Sequence, residues 1–258
     1  MIKFDQFKLD NGLKVIVHED RSTPLAAVNI LYDVGARDED ASKTGFAHLF
    51  EHLMFSGSKN VEVFDKEVEE AGGQNNAFTN NEITNYYLVM PKENVETAFW
   101  LESDRMLELN INEKSLSVQQ GVVVEEFKQR CFNSPFGLLW HHIRSLVYKE
   151  SPYRWPTIGL NFHHVEDAKI EDVRAFYDMY YCPQNAIISV VGDITLEETR
   201  NLSEKWFGGI NKLATPNLNS YKKEPEQQER RFLEAEDLSP NPAVFLIWRG
   251  PFFNDTKS

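Results

Sequence analysis

The chain has 258 residues, 41% of them hydrophobic and 12% aromatic, enough apolar content for a large core and too much for a disordered chain. With 27 basic against 40 acidic residues it carries a formal charge of −13, the wrong sign for binding nucleic-acid phosphates or an anionic membrane surface. Its apolar runs, such as 186–191 and 243–248, fall far short of the ~20 residues a membrane span needs, and Cys131 and Cys182 suit neither a disulfide framework nor a thiolate metal site. The opening Met1-Ile2-Lys3-Phe4-Asp5 lacks the basic and apolar regions of a signal peptide, so the cytoplasm is the expected compartment, the periplasm if a leader was removed.

The turn-prone Asp10-Asn11-Gly12 leads into a strand from Leu13 to His18, expected to pair with a second strand from Ala26 to Val34. Ser42 or Thr44 is placed to cap a helix that runs to about Phe55 and stops near Gly57. A short acidic helix follows from Phe64 to Ala71, closed by Gly72-Gly73, and Ala77 to Met90 has the composition of paired strands. Three helices, Lys92 to Asn110, Glu113 to Arg130 and Pro135 to Tyr148, repeat apolar residues at three and four positions. Beyond a helix at Val173 to Tyr180, Ala186 to Val191 reads as a buried strand and Leu196 to Phe207 as a helix.

From Leu213 to Arg231, Pro, Asn, Lys, Glu and Gln replace large apolar residues, as in a linker, and a further strand is expected at Ala243 to Trp248. The expected domains are therefore residues 1–212, a linker at 213–231 and, at 232–258, a second domain cut off soon after it begins. Hairpin-like strands precede groups of helices without βαβ alternation. That order predicts an α+β fold, a largely antiparallel sheet with helices packed on one face.

Residues 46–54 read FAHLFEHLM, which places His48, Glu51 and His52 within an arc of ~100° on one helical face. The surrounding positions are apolar nearly all the way round, the mark of a buried helix, where unpartnered ionisable groups are costly. Two imidazoles one turn apart can instead grip one metal ion. The adjacent pairs His141-His142 and His163-His164 cannot chelate in this way, because vicinal side chains diverge. A hydrolytic zinc site takes three protein ligands, and GVVVEEFKQR at 121–130 offers a third from an apolar helical stretch. Glu125 and Glu126 face ~100° apart there, and spacing does not choose between them.

These residues resemble the M16, or pitrilysin-like, zinc metallopeptidases, whose inverted motif His-x-x-Glu-His is followed by a distant glutamate. Glu126 lies 74 positions after His52, close to the interval of that family. The likeness extends to LDNGLKVIV at 9–17, GGQNNAFTNNEITNYY at 72–87, SPYRWPTIG at 151–159 and YYCPQNAIISVVGDI at 180–194. It implies one zinc per chain held by His48, His52 and Glu126, with Glu51 as general base on the metal's water.

The resemblance further implies that Asn76, Ala77, Phe78 and Thr79 form an edge strand that binds a peptide substrate by strand addition. It also implies a partner, a second M16-type half or homologous subunit that completes a chamber and supplies oxyanion stabilisation. Gln119 departs from the pattern, standing where the family carries a glutamate that supports the metal ligands. The expected function is a zinc endopeptidase unit acting on peptides or unfolded segments. The alternatives are a non-catalytic or partner-dependent scaffold that binds substrate, and a metal-dependent hydrolase of small molecules.

Overall fold

Strand formation follows the period-2 burial of apolar residues in the computed structural model, which describes residues 2–211 and 224–250. Among these residues six strands form one sheet: β1 (Asp5–Lys8), β2 (Lys14–Glu19), β3 (Leu25–Tyr32), β4 (Gln74–Thr79), β5 (Thr84–Pro91) and β6 (Ala186–Gly192). Their order is β1-β2-β6-β3-β5-β4, and every neighbouring pair is antiparallel except β2 with β6. Val15, Val28, Ile30, Leu88, Ile188 and Val190 point from four strands into one buried layer. Alternate residues such as Ala27, Asn29 and Tyr87 are only half-buried on the other face.

The helices are α1 (Phe46–Leu53), α2 (Phe64–Glu70), α3 (Val95–Leu107), α4 (Glu113–Cys131), α5 (Leu139–Val147), α6 (His163–Glu166), α7 (Ile170–Tyr180) and α8 (Leu196–Phe207). α3 packs on β3 and β5, α8 on β2, and α1 lies between the end strand β4 and the long helix α4. The fold is thus the expected α+β architecture, largely antiparallel with its helices on one face.

Two expectations are corrected. β2 and β3 do not pair with each other, because β6 inserts between them. Apolar on both faces along Ala186-Ile187-Ile188, β6 suits a central place, whereas β1, the polar DQFK, forms the outer edge and joins β2 through the Asp10-Asn11-Gly12 turn. The stretch Ala243 to Trp248 forms no strand. Val244 and Trp248 are 86% and 79% exposed, and no described strand lies beside the segment to pair its backbone. Of the expected linker, 213–223 lies outside the described residues, as does 251–258 of the expected second domain. Residues 224–250 carry no helix or strand.

The exit from α1 is tied to the end of α3. Asp104 accepts hydrogen bonds from Ser58 Oγ at 2.6 Å and from the Asn60 amide at 2.8 Å. Beside it the Arg105 guanidinium is buried against Glu102, donating from Nε at 2.8 Å, and lies 4.3 Å and 4.5 Å from the ring centres of Tyr86 and Phe64.

Candidate metal centre

α1 starts without a side-chain cap of its own. Its N-cap, Gly45, has φ +92°, a left-handed conformation that favours glycine, and a Cβ there would approach Ile158 O to 3.1 Å. Neither Ser42 nor Thr44 caps the helix. Ser42 is turned to Asp40, and Thr44 Oγ1 accepts from the Leu160 amide and bonds His164 Nδ1. The buried carboxyl of Glu39 fills the gap, taking the Gly45 amide on one oxygen and the Ala47 amide on the other, each at 2.9 Å.

From this start the eight-residue helix buries Phe46, Leu49, Phe50 and Leu53 and turns His48 and His52 toward α4. Their Nε2 atoms stand 3.6 Å and 3.4 Å from a single oxygen, Oε2 of Glu126. One ligand atom from each of the three residues falls within 4.8 Å of the others. The two imidazole–carboxylate distances are long for hydrogen bonds and lie close to the ~3.4 Å edge of a tetrahedron with metal–ligand bonds of about 2.0–2.1 Å. Two imidazole nitrogens and a carboxylate oxygen are also a donor set zinc favours. The residues fit the metal.

The charge states agree with that fit. Burial lowers the His48 pKa despite the pull of Glu126, which favours the neutral imidazole a metal needs. The His52 imidazole beside Glu126, helped by His48 and Arg130, holds the Glu126 carboxyl below the usual range against the cost of burial. Arg130 binds the other oxygen, Oε1, at 2.8 Å, leaving Oε2 toward the histidines. Sequence reasoning missed this arginine, although its place four residues after Glu126 on a helix is a readable signal.

Structure separates the two glutamates of α4. The Glu125 side chain is 67% exposed and pairs with Lys128 at 2.7 Å, while Glu126 faces α1. Glu51 is half-buried between the histidines in sequence, and its charge reaches His48. Gln119, seven residues before Glu126 on α4, donates to Ser56 Oγ at 3.1 Å. Asn76, Ala77, Phe78 and Thr79 lie on β4, which among the described residues pairs only with β5 and forms a sheet edge next to α1. On that strand the Ala77 amide donates to Asn76 Oδ1 at 2.8 Å. Trp155, in the SPYRWPTIG segment, is buried and donates to Ala36 O.

Burial pushes the Glu39 carboxyl from its ordinary value near 4.5 up to about 8, against the pull of the Ala47 and Gly45 amides. The folded state therefore holds this proton more tightly than the unfolded chain. Its contribution to stability is full below about 4.5 and is lost as pH rises through about 8. The stability of wild type relative to Glu39→Gln, read from denaturant midpoints, is expected to fall between about pH 5 and about pH 9; a flat difference contradicts this assignment.

The family model described as insulinase (peptidase family M16) matches residues 14–157, and the model described as peptidase M16 inactive domain matches 167–258. Zinc protease PqqE of Helicobacter pylori is 35% identical over 233 residues, covering 89% of this chain and 52% of that protein. The mitochondrial-processing peptidase subunit beta of Saccharomyces cerevisiae is 24% identical over 213 residues, covering 81% of this chain and 45% of that protein. A solved structure of a protease from Helicobacter pylori superposes with a TM-score of 0.82 at 35% identity, over 88% of this chain and 55% of the other. The chain spans about half the length of the curated relatives it matches. No helix among the described residues is long and apolar enough to cross a membrane.

Proposed function

The chain belongs to peptidase family M16, and on that premise we propose that it is a zinc-dependent endopeptidase unit hydrolysing peptides or unfolded segments. The observation that carries this reading is the convergence of His48, His52 and Glu126 on one point between α1 and α4. These three residues would hold one zinc ion per chain. Zinc bound there supplies a Lewis acid that makes water nucleophilic near neutral pH and polarises the scissile carbonyl.

Glu51, on the same helical face as the two histidines, takes a proton from the attacking water and passes it to the leaving amine. The free edge of β4 receives the peptide as an added strand through Asn76 to Thr79, so main-chain hydrogen bonds give affinity that tolerates many sequences. To bind, the peptide must compete with the Asn76 side chain for the Ala77 amide. A homologous second half or subunit completes the chamber, since relatives are about twice as long. In this reading residues 1–212 are the zinc-binding domain, 213–231 a linker and 232–258 the start of a second domain.

A non-catalytic scaffold is the second reading, favoured by Gln119, whose neutral amide engages Ser56 rather than a metal ligand. Zinc content by elemental analysis, with cleavage of a quenched unstructured peptide, separates the two. About one zinc per chain, lost in His48→Ala and Glu126→Gln, is expected, because removing a ligand takes away most of the affinity. Zinc with no cleavage even when the second half is supplied supports the scaffold. No zinc in wild type overturns the metallopeptidase reading.

A further inference from the structure

We propose that Glu39 is a positioning residue of the metal centre, fixing the first turn of α1 through the Gly45 and Ala47 amides and thereby setting where His48 presents its imidazole. The inference rests on the zinc reading above and goes beyond its ligands and base. Helices leave their first amides without partners, and the left-handed Gly45 offers no side chain to satisfy them. Glu39 takes two of these amides, and the second belongs to Ala47, directly before His48.

With only eight residues, α1 is too short to define its own position by helix propensity. Metal ligands must be held to within about 0.5 Å, so the fixing must come from outside the helix. The segment carrying Glu39 is suited to it. Trp155 Nε1 donates to Ala36 O at 2.7 Å, Tyr180 OH of α7 donates to Asp38 O at 3.2 Å, and the Gly35 amide closes onto Asp38 at 2.9 Å. Glu39 is 7% exposed, and above its raised titration the anion at the helix N-terminus is favoured by the aligned peptide dipoles. A carboxylate accepts on both oxygens. An amide of the same shape accepts on one and sets an N–H against the other donor.

The test uses the full chain at about pH 8.5, above the raised titration of Glu39. Zinc affinity is measured by competition with a chromogenic chelator, and the ligand geometry by the visible spectrum of the cobalt-substituted protein. Glu39→Gln is expected to weaken zinc binding about tenfold or more and to shift the cobalt bands, with Glu39→Asp intermediate. Leu202→Ala on α8 is expected to lower the melting temperature while leaving zinc affinity and spectrum at wild-type values. Should Glu39→Gln fail to fold, Glu39→Asp carries the comparison.

Wild-type zinc affinity and spectrum in the Glu39 variants would overturn this inference alone. An equal loss of affinity in Leu202→Ala would also overturn it, by reducing the effect to general destabilisation. A wild type that takes up no zinc overturns both this inference and the function it rests on.

Discussion

Glu51→Gln is expected to lower peptide cleavage by about 10²–10⁴-fold while zinc stays at one per chain, measured by turnover of a quenched peptide with the second half supplied. The size follows from what the side chain does. Gln keeps the shape and one acceptor but cannot hold a proton, so the attacking water loses its base and the leaving amine its acid. Because Glu51 is outside the proposed ligand set of His48, His52 and Glu126, that set stays whole in the variant, and the loss is expected in kcat rather than KM. Near wild-type turnover in this variant would remove Glu51 from the mechanism. Loss of zinc alongside activity would make it a structural support of the site instead.

Arg105→Met is expected to destabilise the fold by about 3–5 kcal/mol, the usual cost of leaving one member of a buried ion pair alone. Glu102 has essentially no exposure, and its carboxyl is already raised by burial, with Arg105 holding it down. Without the guanidinium Glu102 takes up a proton to stay buried. The variant should then lose stability further as pH rises, since the folded carboxyl titrates above the unfolded one. The aromatic contacts with Tyr86 and Phe64 go as well. Chemical denaturation of Arg105→Met, Glu102→Leu and the double variant checks this: the double variant should recover much of the loss, and strict additivity would show that the pair is not coupled.

The candidate metal centre was legible because helical period and residue type coincide in FAHLFEHLM, where three ionisable residues share one face of an otherwise apolar helix. The proposed third ligand was not fixed by spacing, since Glu125 and Glu126 differ only in which side of α4 meets α1, a tertiary fact. Glu39 carried no signal at all. It caps α1 from six and eight residues away, outside every local capping pattern, so Ser42 and Thr44 looked better placed than they are.

Strands show a similar division. AIISVV announced a buried strand by composition, but its place between β2 and β3 depends on pairing across most of the chain. DQFK, exposed at the sheet edge, has too little apolar content to be read as β1. Ala243 to Trp248 shows the converse: strand-like composition with no described strand to pair with does not make a strand.

The late arrival of β6 shapes how the sheet is built. The β1–β2 hairpin and the β4–β5 hairpin are each made of strands close in sequence, with β3 joined to β5 across the insertion that carries α1 and α2. Yet among the described strands the β1–β2 and β3–β5–β4 pieces touch in the sheet only through Ala186–Gly192. As the chain is synthesised, these two pieces wait with unpaired apolar edges until that segment emerges, and closing so long a loop costs entropy before any contact repays it. During that interval Lys14–Glu19 and Leu25–Tyr32 are the stretches most open to pairing with another nascent chain. Expression yield is thus expected to depend on how quickly the central strand reaches its slot, separately from the stability of the finished fold.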